Sequence, residues 1–175
     1  GGFVMLAANI NPLLSEAGLA WLKSLVFSLS EATAIGALAY SLTGEKLVWW
    51  KLLLSSLITG LVMGTVSVIL KDQMLPFMIH VLLYMIISVI LFSVFRLAIF
   101  WRVLTAVTFA MAIYLLLEFL NLGVRYLCHM DLNQYRESFS AKIICFLPQF
   151  FSALLLAYVF YRRKINLFIT KGKEV

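Results

Sequence analysis

Charge is what this sequence has least of. Only 13% of its 175 residues are Asp, Glu, Lys or Arg, about half the share of an ordinary soluble chain. A domain of this size leaves much of its surface exposed, and here too few charges exist to cover that surface. A soluble enzyme and a disordered regulator are both excluded. Cysteine is scarce as well. Cys128 and Cys145 are the only two, which rules out a disulfide scaffold and offers no metal-ligand spacing. Histidine appears twice, as His80 and His129.

Catalytic motifs are missing too. The chain has no H-E-x-x-H, Walker loop, Gly-rich nucleotide fingerprint or Ser/His/Asp set. A Cys–His nucleophile needs the two side chains to meet. Cys128 and His129 are sequence neighbours that point apart, and His80 with Cys145 has no orienting acid. No enzyme activity, metal or cofactor is expected. The acidic residues number eight against 14 basic ones, for a net charge of +6. That excess is spread thinly between apolar runs and gathers near the C-terminus. It reads as a membrane topology signal and not as a nucleic-acid surface.

What is present is hydrocarbon. Apolar residues make up 63% of the chain, and the mean hydropathy is +1.02. Five runs, Gly18–Leu42, Leu47–Leu70, Met74–Phe95, Ile99–Leu127 and Ala141–Tyr161, each meet the length of about 20 residues that a helix needs to cross a bilayer. The connections are short: Thr43–Lys46, Lys71–Gln73, Arg96–Ala98 and, longest, Cys128–Ser140. Short connections make successive helices antiparallel. The predicted fold is an all-α integral membrane protein, an up-down bundle of five transmembrane helices over residues 18–163. Residues 1–17, which contain Asn9, Asn11, Pro12 and Glu16, are too short and interrupted to span and are expected to lie on the interface. Residues 164–175 form a basic tail.

Orientation follows from lysine and arginine. Nine of the 14 fall on one side (Lys46, Lys51, Arg96, Arg102, Arg162, Arg163, Lys164, Lys171, Lys173) and five on the other (Lys23, Lys71, Arg125, Arg136, Lys142). The positive-inside rule makes the richer side cytoplasmic. The N-terminus and the Cys128–Ser140 loop are then outside and the C-terminus inside, in a multi-pass protein of the cell membrane. Trp49, Trp50 and Trp101 mark the inner boundary, and Trp21 and Tyr126 the outer.

Small residues recur at four-residue spacing on span one (Ser28, Ala32, Gly36) and span two (Ser56, Gly60, Gly64). Such stripes let helix backbones approach in lipid. They fit pairing of these two spans, and a homodimer interface would read the same way. In span five, Pro148 is expected to kink the helix and release a carbonyl toward a polar neighbour.

Ionisable groups inside a membrane are costly and point to function. Glu31, His80 and Glu118 stand out, with Asn121 and Gln149 as further polar groups. At 1.5 Å per residue, His80 lies about 10 Å below the outer surface, Glu118 and Gln149 about 14 Å, and Glu31 about 20 Å. These five residues are the candidate ligand-binding set, a polar pocket open to the outside. The same residues could serve only as hydrogen-bonding ties between helices.

The run Lys23–Gly44 (KSLVFSLSEATAIGALAYSLTG), the Trp49-Trp50-Lys51 entry to span two, the Leu70–Pro76 turn, Leu116-Leu117-Glu118 and Leu147-Pro148-Gln149 together resemble the multi-span N-terminal sensor regions of AgrC-like, GHKL-type histidine kinases of Gram-positive bacteria. They also resemble the small stand-alone membrane proteins of Firmicutes that look like such sensors. The resemblance covers roughly Lys23 to Arg163. It implies perception of an extracellular signal, often a short peptide, at the outer face, with Glu31, Glu118 and Pro148-Gln149 at the matching positions. The chain departs from the family in having no phospho-accepting His box or ATP-binding domain after Lys164. Either the chain is an excised sensor, or signalling would pass through a cytoplasmic or membrane partner. Two other readings stay open: a substrate-binding subunit of a vitamin importer, similar to the S components of energy-coupling-factor transporters, and a structural subunit of a larger membrane complex.

Overall fold

The computed structural model describes the backbone of residues 2–69, 77–127, 138–165 and 167–168, and side chains from residue 16 onward within those ranges, except at 77 and 78. Among the described residues there are five helices and no strand: α1 (Gly2–Thr43), α2 (Trp49–Ile69), α3 (Phe77–Val94), α4 (Phe100–Leu127) and α5 (Phe139–Arg162). Four of them contain stretches long and apolar enough to cross a membrane: Glu16–Thr43, Trp49–Ile69, Phe100–Leu127 and Phe139–Arg162. The described apolar part of α3, Ile79–Val94, is shorter. The chain is thus an all-helical, multi-pass membrane protein. The expected connections at 71–73 and most of 128–140, with Cys128 and His129, lie outside the described residues.

The first apolar run, Gly18–Leu42, lies within a longer helix. The polar residues before Gly18 do not interrupt the helix, and α1 runs unbroken for 42 residues. Main-chain hydrogen bonds from each N–H to the carbonyl four residues back continue whatever the side-chain polarity. Polarity therefore marks where a helix leaves the apolar phase and not where the helix begins.

α1 is the central helix. It packs against α2, α4 and α5, while α3 joins α2 to α4 and α4 joins α5. Between Ala32 and Thr43 only Thr33 and Ala37 are less than fully buried, so this half of α1 is enclosed on nearly every side, as an apolar helix inside a bundle must be. Its neighbours bury one stripe each. On α4 the stripe is Val103, Ala106, Val107, Ala110, Met111 and Tyr114, the spacing of one helix face. On α5 it is Cys145, Gln149, Ala153 and Ala157. The opposite faces carry exposed Leu57, Leu61, Ile86, Ile90, Phe119 and Leu155. That inverts the soluble pattern and gives lipid an apolar surface to wet.

Contacts fix the relative directions. Trp21 Nε1 donates to Thr65 Oγ1 (3.1 Å) and Ser24 Oγ to the Gly64 carbonyl (3.2 Å), while Gly36 faces Ser56 and Leu52. α1 and α2 are therefore antiparallel. Phe27 stacks edge-on against Phe139 and Phe146 and the Leu167 N–H donates to the Leu42 carbonyl (3.2 Å), so α5 runs with α1. Arg102 pairs with Glu45 (3.4 Å), and Lys51 Nζ donates to the Phe95 carbonyl (2.9 Å). One end of the bundle thus collects the ends of α1, α3 and α5 and the starts of α2 and α4. Seven basic side chains sit there (Lys46, Lys51, Arg96, Arg102, Arg162, Arg163 and Lys164).

Helices α3 and α5 finish alike. Arg96 has φ 49° and Lys164 φ 54°, the left-handed conformation that ends a Schellman turn. The N–H of Leu97 reaches the Phe92 carbonyl and that of Ile165 the Phe160 carbonyl, both at 2.9 Å. Glycine is the usual residue there. A cation in its place instead interacts with the negative end of the helix dipole.

Candidate functional site

The interior polar residues come from three helices. Glu31 lies on α1, just before the enclosed segment. Tyr114 and Glu118 are one turn apart on α4 and therefore share a face. Tyr84 comes from α3. Glu31 and Glu118 are close enough to interact electrostatically. Tyr84 is similarly close to Glu31 and Tyr114, and Tyr114 to both glutamates. The four side chains thus belong to one region of the bundle, on α1, α3 and α4.

The two phenols of this group are not satisfied by hydrogen bonds among the described residues. Tyr84 and Tyr114 are each only 1% exposed, and neither phenolic oxygen has a hydrogen-bond partner among the described residues. Glu31 and Glu118 are partly buried. An unpaired buried hydroxyl costs about 1–3 kcal/mol, and lipid offers no water to relieve it. Arg125, two turns beyond Glu118 on α4, contributes a favourable charge to that carboxylate.

The remaining expected site residues take different places. Asn121 is committed to a helix tie, its Nδ2 donating to the Cys145 carbonyl on α5 at 2.7 Å. That carbonyl lies in the turn before Pro148, the proline inside α5. Proline has no N–H to give the carbonyl of residue 144; the Cys145 carbonyl, one residue on, has two lone pairs and accepts from Asn121. Gln149 is buried on the same α5 stripe as Cys145, and Cys145 is a free, buried thiol. His80 is partly buried one turn from Tyr84 on α3 and is joined to neither glutamate. The structure therefore brings Glu31 and Glu118 together, sets Gln149 on the neighbouring buried stripe, and leaves His80 at the margin.

The two tyrosines are the residues that sequence reasoning misses. Their signal is spacing: Tyr114 stands four residues before Glu118 and Tyr84 four after His80, the interval of side-chain neighbours on a helix.

The small-residue stripes lie at the α1–α2 contact. Ser28 and Ala32 are buried, and a Cβ on Gly64 would meet Leu25 Cδ2 at 2.8 Å. Among the described residues no group of three or more His, Cys, Asp or Glu is arranged to hold a metal.

Comparison with protein-family models, with curated proteins and with solved structures finds no match. The functional reading therefore rests on the geometry of the chain itself.

Proposed function

We propose that this protein is a receptor-like membrane module that takes an extracellular signal into the polar interior bounded by Glu31, Tyr84, Tyr114 and Glu118 and passes its occupancy to a protein partner. A short peptide is the signal that the resemblance to AgrC-like sensor regions suggests. In this reading all five helices are spans, with the N-terminus outside and the basic end cytoplasmic in a bacterial membrane, and the module has no catalytic step, metal or cofactor. The nine-to-five distribution of basic residues supports that orientation.

The observation that carries the proposal is the pair of tyrosine hydroxyls buried without partners beside two carboxylates. A bundle that only had to pack would gain from phenylalanine at both positions, because removing an unsatisfied buried group removes its desolvation cost. Carboxylates accept hydrogen bonds, and phenols both donate and accept. A peptide supplies the complementary N–H and C=O groups, and an ammonium group would meet the paired acids.

Native mass spectrometry and calorimetry of the chain in lipid nanodiscs, against a panel of short linear and cyclic peptides, test this reading. A peptide should bind the wild type, and Glu118→Ala or Gln149→Ala should weaken it at least about tenfold, or about 1.4 kcal/mol, with helix content unchanged. A vitamin-sized molecule retained together with transporter ATPases would replace the proposal with the importer subunit. Collapse of the bundle in Glu31 or Glu118 variants, with no ligand found, would replace it with the structural subunit.

A further inference from the structure

At the basic end of the bundle, where α1 and α5 finish and α2 begins, a cavity of about 610 Å³ is lined by Lys46, Arg162 and Lys164 and by one acidic residue, Glu45. The carboxylate of Glu45 is already paired with Arg102 (3.4 Å), so the lining presents net positive charge. Its walls are positioned. Tyr40 Oη donates to the Lys46 carbonyl and accepts from the Val48 N–H (3.2 Å), which ties the 44–48 connection to α1. Arg162 Nη1 donates to Tyr158 Oη (3.2 Å), and the Schellman turn that closes α5 places Lys164.

This cavity continues into a second one. Ser41, Tyr158 and Tyr161 line both. The second has a volume of about 370 Å³ and is otherwise walled by apolar side chains, among them Ala37, Leu52, Leu154 and Ala157. It runs along α1 between α2 and α5, which make no extensive contact with each other among the described residues. From Tyr161 to Leu154 the groove extends about 10 Å along α5. Trp49, 66% exposed, stands at its edge, the position an interfacial aromatic takes at headgroup level.

A basic mouth joined end-on to an apolar cleft matches one kind of molecule. We propose that this cleft binds a single anionic phospholipid, with its phosphate at Lys46, Arg162 and Lys164 and one acyl chain laid along α1 toward Ala37. Charge complementarity selects the headgroup. The apolar walls select a lipid over a free anion, and the opening between α2 and α5 lets a lipid enter sideways from the bilayer. The site is separate from the Glu31–Glu118 interior and does not depend on its function.

The test is native mass spectrometry of the full 175-residue chain in mild detergent, titrated with phosphatidylglycerol or with phosphatidylcholine of the same acyl chains. Wild type should retain phosphatidylglycerol at least about fivefold more strongly, since each basic side chain near an anionic headgroup contributes about 1 kcal/mol. Lys46→Gln with Arg162→Gln should abolish the preference, and Lys46→Arg with Arg162→Lys should keep it, which separates lost charge from lost fold. Ala37→Leu, filling the groove, should reduce retention of both lipids. Glycerol phosphate, the headgroup chemistry without chains, should displace neither. Equal retention of the two lipids by the wild type would overturn the proposal. So would a preference that survives the double Gln variant, displacement by glycerol phosphate alone, or lipid-free dimers covering the cleft.

Discussion

Leu29 of α1 packs directly on the bare Cα of Gly60 in α2: a Cβ there would stand 2.7 Å from both the Cα and the Cδ2 of Leu29. In lipid no hydrophobic drive pushes helices together, so their association relies on close packing of this kind. Gly60→Ala should force the α1 and α2 backbones apart and cost about 1–3 kcal/mol, the usual penalty for overpacking. Gly123→Ala is the control, because its added Cβ would meet nothing within 4 Å. Reversible unfolding in mixed micelles should show a loss for the first and little change for the second. Equal behaviour of the two variants would mean that the α1–α2 contact is not close-packed at Gly60.

The bond from Asn121 to the Cys145 carbonyl leads to a second expectation. Asn121→Leu should destabilise the bundle by about 0.6–2 kcal/mol, the range for hydrogen bonds between membrane helices. It should act by loosening α5 from α4. Unchanged stability of Asn121→Leu in the same unfolding assay would show that this bond does not hold α5 to α4.

Arg96 offers a substitution in the opposite direction. Its left-handed φ of 49° costs a residue with a side chain about 1–2 kcal/mol. Arg96→Gly should therefore stabilise the protein by up to about 1 kcal/mol, after the extra freedom glycine has in the unfolded chain is subtracted. A fall in stability would show that the cation's interaction with the end of α3 outweighs the backbone relief.

These residues also show how far the sequence could be read. All five apolar runs end within one residue of the described end of a helix, because a stretch that must satisfy its own backbone in lipid has one solution. The start of α1 was not legible, since polar side chains mark the edge of the apolar phase while the helix continues past it. Glu31 and Glu118 stand out in any reading because charge within an apolar run is rare. Tyr84 and Tyr114 do not, because tyrosine is common near membrane interfaces and its burial depends on how each helix is rotated. The commitment of Asn121 to α5 was equally hidden, since it depends on which helix faces it.

Membrane orientation can be measured directly. With Cys128 and Cys145 replaced by serine, a cysteine introduced at Lys164 should resist a membrane-impermeant thiol reagent added to intact cells, and one at Tyr126 should react. Tyr126 is 81% exposed at the opposite end of α4 from Arg102, so access there is not limited by packing. The reverse pattern would invert the bundle and place its basic end outside.

The central claim is that Tyr84 and Tyr114, beside Glu31 and Glu118, are kept without hydrogen bonds for a ligand and do not serve as ties between helices. The most direct test is the unfolding free energy of the chain carrying both Tyr84→Phe and Tyr114→Phe, compared with wild type without ligand. Removing two buried hydroxyls that bond to nothing should leave stability unchanged or raise it, by about 1 kcal/mol or more for each relieved group, at the expense of binding. A loss of 1 kcal/mol or more would show that the hydroxyls hold the helices together, and would contradict the reading of this interior as a binding site.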